Sequence, residues 1–256
     1  MREIDLNCDM GEGFGPWRMG EDEALLKHVT SANVACGYHA GDPPTIERTV
    51  QRALQHGVAV GAHPGYPDLQ GFGRRSMLLS PAELESIVLY QVAAVQGITR
   101  ALGGELRHVK LHGALYNDAA ADAEHARAAI RAVLRLDEGL ILYALAGSPM
   151  SYLAKQDGLR VVEEAFADRG YLADGTLQSR AIPGALITDP EAAAAQAQEI
   201  AVRHSVTSAE GAVVAVRAGT VCVHGDNPSA VAIAQSVRAA LDGAGVVVRS
   251  PAADGD

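Results

Sequence analysis

The 256-residue chain contains three cysteines, one tryptophan, three phenylalanines and three lysines. Cys8, Cys36 and Cys222 are odd in number, and no two share the spacing of a metal knuckle or a redox motif. Reduced, packed thiols in a cytoplasmic protein are therefore expected. With aromatics at 4% and apolar residues at 48%, the core must be built from Val, Leu, Ile and Ala. That is the composition of buried parallel strands beneath Ala-rich helices. There is no run of basic residues, and the formal net charge is -10, which argues against nucleic acid and anionic membrane surfaces as partners. No apolar stretch approaches the ~20 residues of a membrane span. Gly-Lys-Ser/Thr occurs nowhere, so a P-loop is excluded. The N-terminus enters a strand-like segment at once, which predicts a chain without a signal peptide.

Proline is sparse but well placed. Asp42-Pro43, Ser80-Pro81, Ser148-Pro149, Asp189-Pro190 and Asn227-Pro228 each put a capping residue before a proline at the first helical position. Glu83 follows Ser80 at capping-box spacing. Apolar residues at helical spacing follow, as in Ile46, Val50 and Leu54 before Gly57, and Ile233, Val237 and Leu241 near the end. Between the helices lie strand candidates at residues 3–9, 31–37, 58–63, 107–113, 139–146, 159–166 and 219–225, with an eighth at 245–249. Their alternation predicts an α/β fold, a closed or nearly closed (β/α) barrel of seven or eight mostly parallel strands. An open doubly wound sheet is the alternative, because periodicity does not reveal closure. The length suits a single barrel domain over residues 1–250, with residues 251–256 as a disordered tail.

Four histidines close short apolar runs directly before glycine- or proline-rich turns: His39, His63, His112 and His224. Asp9 closes a fifth run. In parallel α/β folds the C-terminal ends of the strands share one face, where catalytic groups gather. Period-two alternation puts Asp5, Asn7 and Asp9 on one face, as it does Lys110 with His112, and Cys222 with His224 and Asp226. Such groups are costly to bury in a barrel unless they meet one another or a ligand. One reading is an assembled catalytic site; the other is a satisfied polar network with no catalytic task. Lys110 lies mid-strand, where it could hold an anion or polarise a carbonyl. Gly11-Glu12-Gly-Phe-Gly15 and Gly71-Phe-Gly-Arg74-Arg75 are loops able to close over a ligand, the arginines as anion binders. Asp168 and Arg169 follow the strand at 159–166 as either a structural or a functional pair. A His/carboxylate metal site is a further option, with Asp9, His63 and His112 as ligands, although no local ligand spacing supports it.

Several long segments carry a family likeness. Asp5–Gly15, Ser31–Pro43, Gly61–Arg75, Val109–Asn117, Ala165–Arg169 and Cys222–Asp226 resemble the lactam-utilisation (LamB/YcsF-like) family, in order and over nearly the whole chain. That family comprises the A subunit of bacterial ATP-dependent 5-oxoprolinase. The resemblance implies a barrel related to the polysaccharide-deacetylase type. It also implies conversion of 5-oxo-L-proline, ATP and water to L-glutamate, ADP and phosphate, with separate B and C subunits as partners and ATP as co-substrate. Residue by residue, it implies Asp9, His39, His63, Lys110, His112, Asp168 and His224 as catalytic candidates. Asn7, Glu12, Asp42, Arg74, Arg75, Asn117, Arg169 and Asp226 are the accompanying substrate-binding candidates. Two departures are visible: Leu111 replaces the family's usual proline, and Gly219 the usual aspartate. A stand-alone metal-dependent amidase or deacetylase, and a non-catalytic subunit of a carboxylase- or hydrolase-like complex, are the competing readings. Homo-oligomerisation, the metal and the subunit that binds ATP stay open.

Overall fold

The computed structural model describes residues 2–251. Seven parallel strands form a closed ring: β1 (Arg2–Met10), β2 (Ser31–Ala35), β3 (Ala59–His63), β4 (Leu106–Lys110), β5 (Ile141–Leu145), β6 (Arg160–Phe166) and β9 (Thr220–Val223). Each pairs with the next, and β9 closes the ring on β1 through Asp5↔Thr220 to Cys8↔Val223. The eighth candidate strand is present as β10 (Val246–Val248) but stays outside the ring. It pairs with β1 at Arg2, Glu3 and Ile4, extending the edge that β9 uses from Asp5 onward. The nine residues of β1 are long enough to serve both. An antiparallel hairpin, β7 (Ser205–Thr207) with β8 (Val213–Ala215), was not expected; at three residues each, its strands are too short to show a pattern.

The helices are α1 (Asp22–Leu25), α2 (Pro43–Gln55), α3 (Pro81–Ala101), α4 (Gly113–Ala121), α5 (Ala123–Leu136), α6 (Pro149–Gln156), α7 (Pro190–Arg203) and α8 (Ala230–Gly243). Four of the five expected proline starts are real. Ser80 forms a reciprocal capping box with Glu83, and Ser148 and Asp189 accept from backbone amides of α6 and α7. Asp42 stands at the N-cap position of α2 without a side-chain capping bond. Asn227-Pro228 is corrected: α8 begins at Ala230, two residues later than that pattern predicts. The Asn227 amide instead donates to Asp168 Oδ2 (3.2 Å) and the Ile187 carbonyl (3.1 Å). Of the tail predicted to be disordered, Pro251 accepts from Arg160 Nη2 (2.9 Å); residues 252–256 lie outside the described residues.

Alternation along the strands divides two environments. Leu6, Cys8, Val34, Val60, Val109 and Val221 are buried with the apolar faces of the helices and form the main core. The other parity fills the barrel with polar side chains that bond to one another. At the floor, Asp5 accepts from Thr30, Ser31, Tyr143 and Thr220 at 2.6–3.0 Å. One layer up, Asn7 donates to Glu164 and Thr220 and accepts from Asn33, whose carbonyl accepts from His108 Nε2 (2.8 Å). Networks of this kind specify one arrangement, because breaking any member strands a buried polar group; within this one, His108 Nδ1 is buried without a hydrogen-bond partner. The His108 ring lies over Gly61 of β3, where a Cβ would overlap it. Gly61→Ala is therefore expected to destabilise the barrel by at least the ~1–3 kcal/mol of an overpacked core. Urea unfolding checks this, and an unchanged midpoint would show that the ring is free to move aside.

Candidate active site

The carboxyl ends of β1, β3, β4, β6 and β9 surround a cavity of about 620 Å³. Asp9, His63, Arg74, Lys110, His112, Asn117, Arg169 and His224 all line it, as do Phe166 and Arg180. Strand ends remote in sequence thus deliver the predicted groups to one place.

Lys110 is the centre of charge. Its side chain is 2% exposed, and its Nζ lies 2.9 Å from Asp9 Oδ1, 3.1 Å from Glu164 Oε1 and 2.9 Å from Cys222 Sγ. Burial works against the ammonium, but Asp9 and Glu164 outweigh it and hold its pKa well above the usual lysine value. Cys222 remains a thiol, because burial pushes it well up despite the adjacent cation. Asp9 is also buried, yet His63 and Lys110 together keep its carboxyl well below the ordinary range. Its Oδ1 accepts a further bond from Asn33 (2.8 Å).

The two central histidines have defined proton positions. His63 Nδ1 faces the Lys110 carbonyl at 2.8 Å, and His112 Nε2 faces the Phe72 carbonyl at 2.8 Å. A carbonyl only accepts, so both nitrogens carry hydrogen. The remaining nitrogens, His63 Nε2 and His112 Nδ1, are 3.0 Å apart, and two lone pairs would repel at that distance. Either an added proton sits between them or both face a common cation. Burial, and the neighbouring His39 and His63, depress His112 well below the usual histidine value. Asp9 Oδ2 lies 3.4 Å from His63 Nε2 and sets a negative charge beside the pair.

The cation alternative has its own support. Glu12 Oε1, His63 Nε2 and His112 Nδ1 converge within 4.8 Å of one another. Glu12 Oε1 is buried without a hydrogen-bond partner, and burial and the Asp9 charge raise its pKa well above the usual carboxylate value. The backbone carbonyls behind both imidazoles are the supports that orient metal-ligating histidines. These residues fit a divalent cation, and Glu12 completes the set in place of the expected Asp9. Asp9, Cys222 and His224 also converge, but the Lys110 ammonium already sits against two of them and would repel a second cation.

His224 forms a separate unit. Its Nδ1 donates to Asp168 Oδ1 (2.8 Å), which leaves Nε2 for the cavity, and its ring stacks on Phe166. Burial opposes the Asp168 charge, but His224 and Asn227 lower its pKa below the usual value.

Other candidates fall outside the cavity lining. His39 is fully buried, stacked on His112 at 3.6 Å between centroids, with Nε2 3.4 Å from Glu12. Asn7 lies beneath the centre with its amide held by Glu164 and Thr220, so it supports Lys110 rather than meeting a substrate. Asp42 stays at its helix start, and Asp226 binds the rim arginines Arg74 and Arg180. Arg75 turns away: its Nε donates to Asp68 Oδ2 (2.9 Å) on the outside of the loop. Both family departures are benign. Leu111 is buried beside the cavity, and Gly219 lies at the start of β9, at the end of that strand away from His224. Glu164 was missed, though parity counted back from Asp168 through Phe166 selects it. Arg180 was missed because it belongs to no strand and no run of charge.

A parallel (β/α)-barrel with a buried acid–lysine–histidine centre at the carboxyl ends of its strands is the class that the fold and the site define. The chain belongs to the LamB/YcsF family, whose model matches residues 4–254. It is 54% identical over 254 residues to the 5-oxoprolinase A subunit of Symbiobacterium thermophilum, covering 99% of this chain and 97% of that one. The 5-oxoprolinase A subunit of Bordetella pertussis is 52% identical over 247 residues, 96% and 98% of the two chains. Among solved structures, a lactam utilization protein from Thermus thermophilus superposes with a TM-score of 0.91 at 49% identity, covering 96% of this chain and 99% of that one. A putative cellobiose-phosphate cleavage protein from Enterococcus faecalis, at 16% identity and a TM-score of 0.56 over 97% of both chains, shares the fold alone. Among the described residues no helix is long and apolar enough to cross a membrane.

Proposed function

We propose that this chain is the A subunit of an ATP-dependent 5-oxoprolinase, opening 5-oxo-L-proline to L-glutamate in concert with separate B and C subunits. The observation that carries the reading is the Asp9–Lys110–His63–His112 centre, buried in a cavity, in a chain about half identical to relatives bearing that name. A five-membered lactam is a resonance-stabilised amide, which water attacks slowly. Transfer of the ATP γ-phosphoryl group to the lactam oxygen makes that oxygen a leaving group. Water then adds at the same carbon and the C–N bond breaks, which leaves a γ-glutamyl phosphate; a second water hydrolyses it, so one ATP and two waters give glutamate, ADP and phosphate.

The residues match those needs. Lys110, together with Arg74 at the rim, meets the negative charge on the oxygen or its phosphoryl group. The proton between His63 and His112 is available to the departing lactam nitrogen, and His224, oriented by Asp168, accepts a proton from water through its free Nε2. A divalent cation held by Glu12, His63 and His112 would take the place of the proton between the two histidines and supply Lewis-acid polarisation instead. A cytoplasmic setting agrees with three buried, unpaired thiols.

Glutamate release by the purified chain, with and without the other two subunits, tests the reading. The chain alone is expected to turn over 5-oxoproline poorly or not at all, and ATP-coupled turnover should return on mixing. Robust turnover by the chain alone without ATP, with a bound metal, would replace this reading by that of a metal-dependent amidase.

A further inference from the structure

Arg169 follows Asp168 shortly after β6 and lines the cavity, yet the residue is only 5% exposed. One of its terminal nitrogens, Nη2, donates to the Gln178 carbonyl (2.6 Å). Its Nε is buried with no hydrogen-bond partner. The neighbouring arginines each have a carboxylate within ion-pairing distance: Arg74 and Arg180 share Asp226, and Arg75 pairs with Asp68. Among the described residues no carboxylate lies within ion-pairing distance of Arg169; Asp168, adjacent in sequence, is committed to His224 and Asn227.

A buried guanidinium lacking a counter-ion is expensive, because no opposite charge offsets its desolvation. Burial, reinforced by Arg180 and only partly offset by Asp168, brings its pKa down to about 10, so it is still fully charged at neutral pH. A protein that keeps such a group in a cavity wall leaves the missing anion to be supplied from outside. Arginine suits a carboxylate in particular, because its planar fork meets both oxygens at once.

We propose that Arg169 is the receptor for the substrate's carboxylate and makes the cavity select anionic lactams over neutral ones. This rests on the functional reading above, in which the substrate is 5-oxoproline, a lactam with one carboxylate. With that carboxylate on Arg169, the amide is left to Lys110, His63 and His112, which line the same cavity. Arg169 is then a specificity residue, whereas Lys110 and the histidines meet the reacting atoms.

The test compares the assembled three-subunit enzyme carrying Arg169→Met or Arg169→Lys with the unmodified enzyme, using 5-oxoproline and its neutral carboxamide as substrates. Losing a charge-assisted interaction predicts a rise of roughly 10–100-fold in KM for 5-oxoproline in Arg169→Met. The kinetics of the carboxamide and the KM for ATP should stay unchanged. Arg169→Lys, which keeps the charge but not the fork, should fall between, and it decides the matter should Arg169→Met fail to fold. Equal losses on both substrates would make Arg169 architectural. A rise confined to the KM for ATP would assign it to a phosphate. Either result, or an unchanged KM for 5-oxoproline, overturns the proposal while leaving the functional reading intact. If the unmodified enzyme neither binds nor opens 5-oxoproline, the functional reading itself falls, and this proposal with it.

Discussion

Asp9→Asn is expected to slow lactam opening by the assembled enzyme by about 10²–10⁴-fold, the range for a positioned acid–base group, while the barrel stays folded. The substitution keeps the shape and removes the charge. An asparagine oxygen can still accept from Lys110 and from the Asn33 amide, and Lys110 retains Glu164 at 3.1 Å. What is lost is the negative charge 3.4 Å from His63 Nε2. Initial rates of glutamate formation, with circular dichroism to verify folding, are the required measurements. Turnover within about threefold of the unmodified enzyme, far short of an acid–base group's contribution, would remove Asp9 from the chemistry.

Lys110→Met should lower the rate by about 10²–10³-fold, the typical effect of deleting one preorganised donor to a developing oxyanion. Stability enters here as well. The ammonium lies between Asp9 and Glu164, both buried, so its removal leaves two carboxylates facing each other without a cation. Breaking a buried pair in this way destabilises by about 3–5 kcal/mol. Lys110→Met combined with Glu164→Gln removes one of the two stranded charges and should recover much of that stability without recovering the rate. Chemical denaturation and turnover of the single and double variants separate the two effects. If the double variant regains activity along with stability, Lys110 is architectural and the cation of the mechanism must be sought among the arginines.

Strand ends are legible in a sequence because an apolar run stopping at a histidine and a glycine leaves few other conformations. Asp9, His63, Lys110, His112 and His224 were readable on that ground, and parity alone placed Lys110 with His112. Closure was not readable, since it depends on β1 pairing with β9, at the far end of the chain. Nor did spacing distinguish Arg74 from Arg75: adjacent residues of a loop point opposite ways, and only the folded loop shows which meets the cavity and which meets Asp68. Glu164 was hidden by Glu163, because two acids in succession read as a solvated edge. In the fold Glu163 faces outward to Ser151, whereas Glu164 faces Lys110. Asn33, His108 and Tyr143 were hidden by neutrality: nothing about a lone polar residue in an apolar run reveals that a partner waits across a barrel. Glu12 required the loop after β1 to fold back over His39 and His112, a convergence that no local pattern encodes.

The central claim is that Asp9, His63 and His112 act as one unit on the lactam, joined by contacts of 3.4 and 3.0 Å through His63 Nε2. The most direct test is a double-mutant cycle on single-turnover glutamate formation, using the complex assembled with Asp9→Asn, His112→Ala or both. Residues that act together lose their joint effect once, so the double variant is predicted to be no slower than the slower single variant. Losses that multiply, each substitution subtracting its full effect in the presence of the other, would contradict the account.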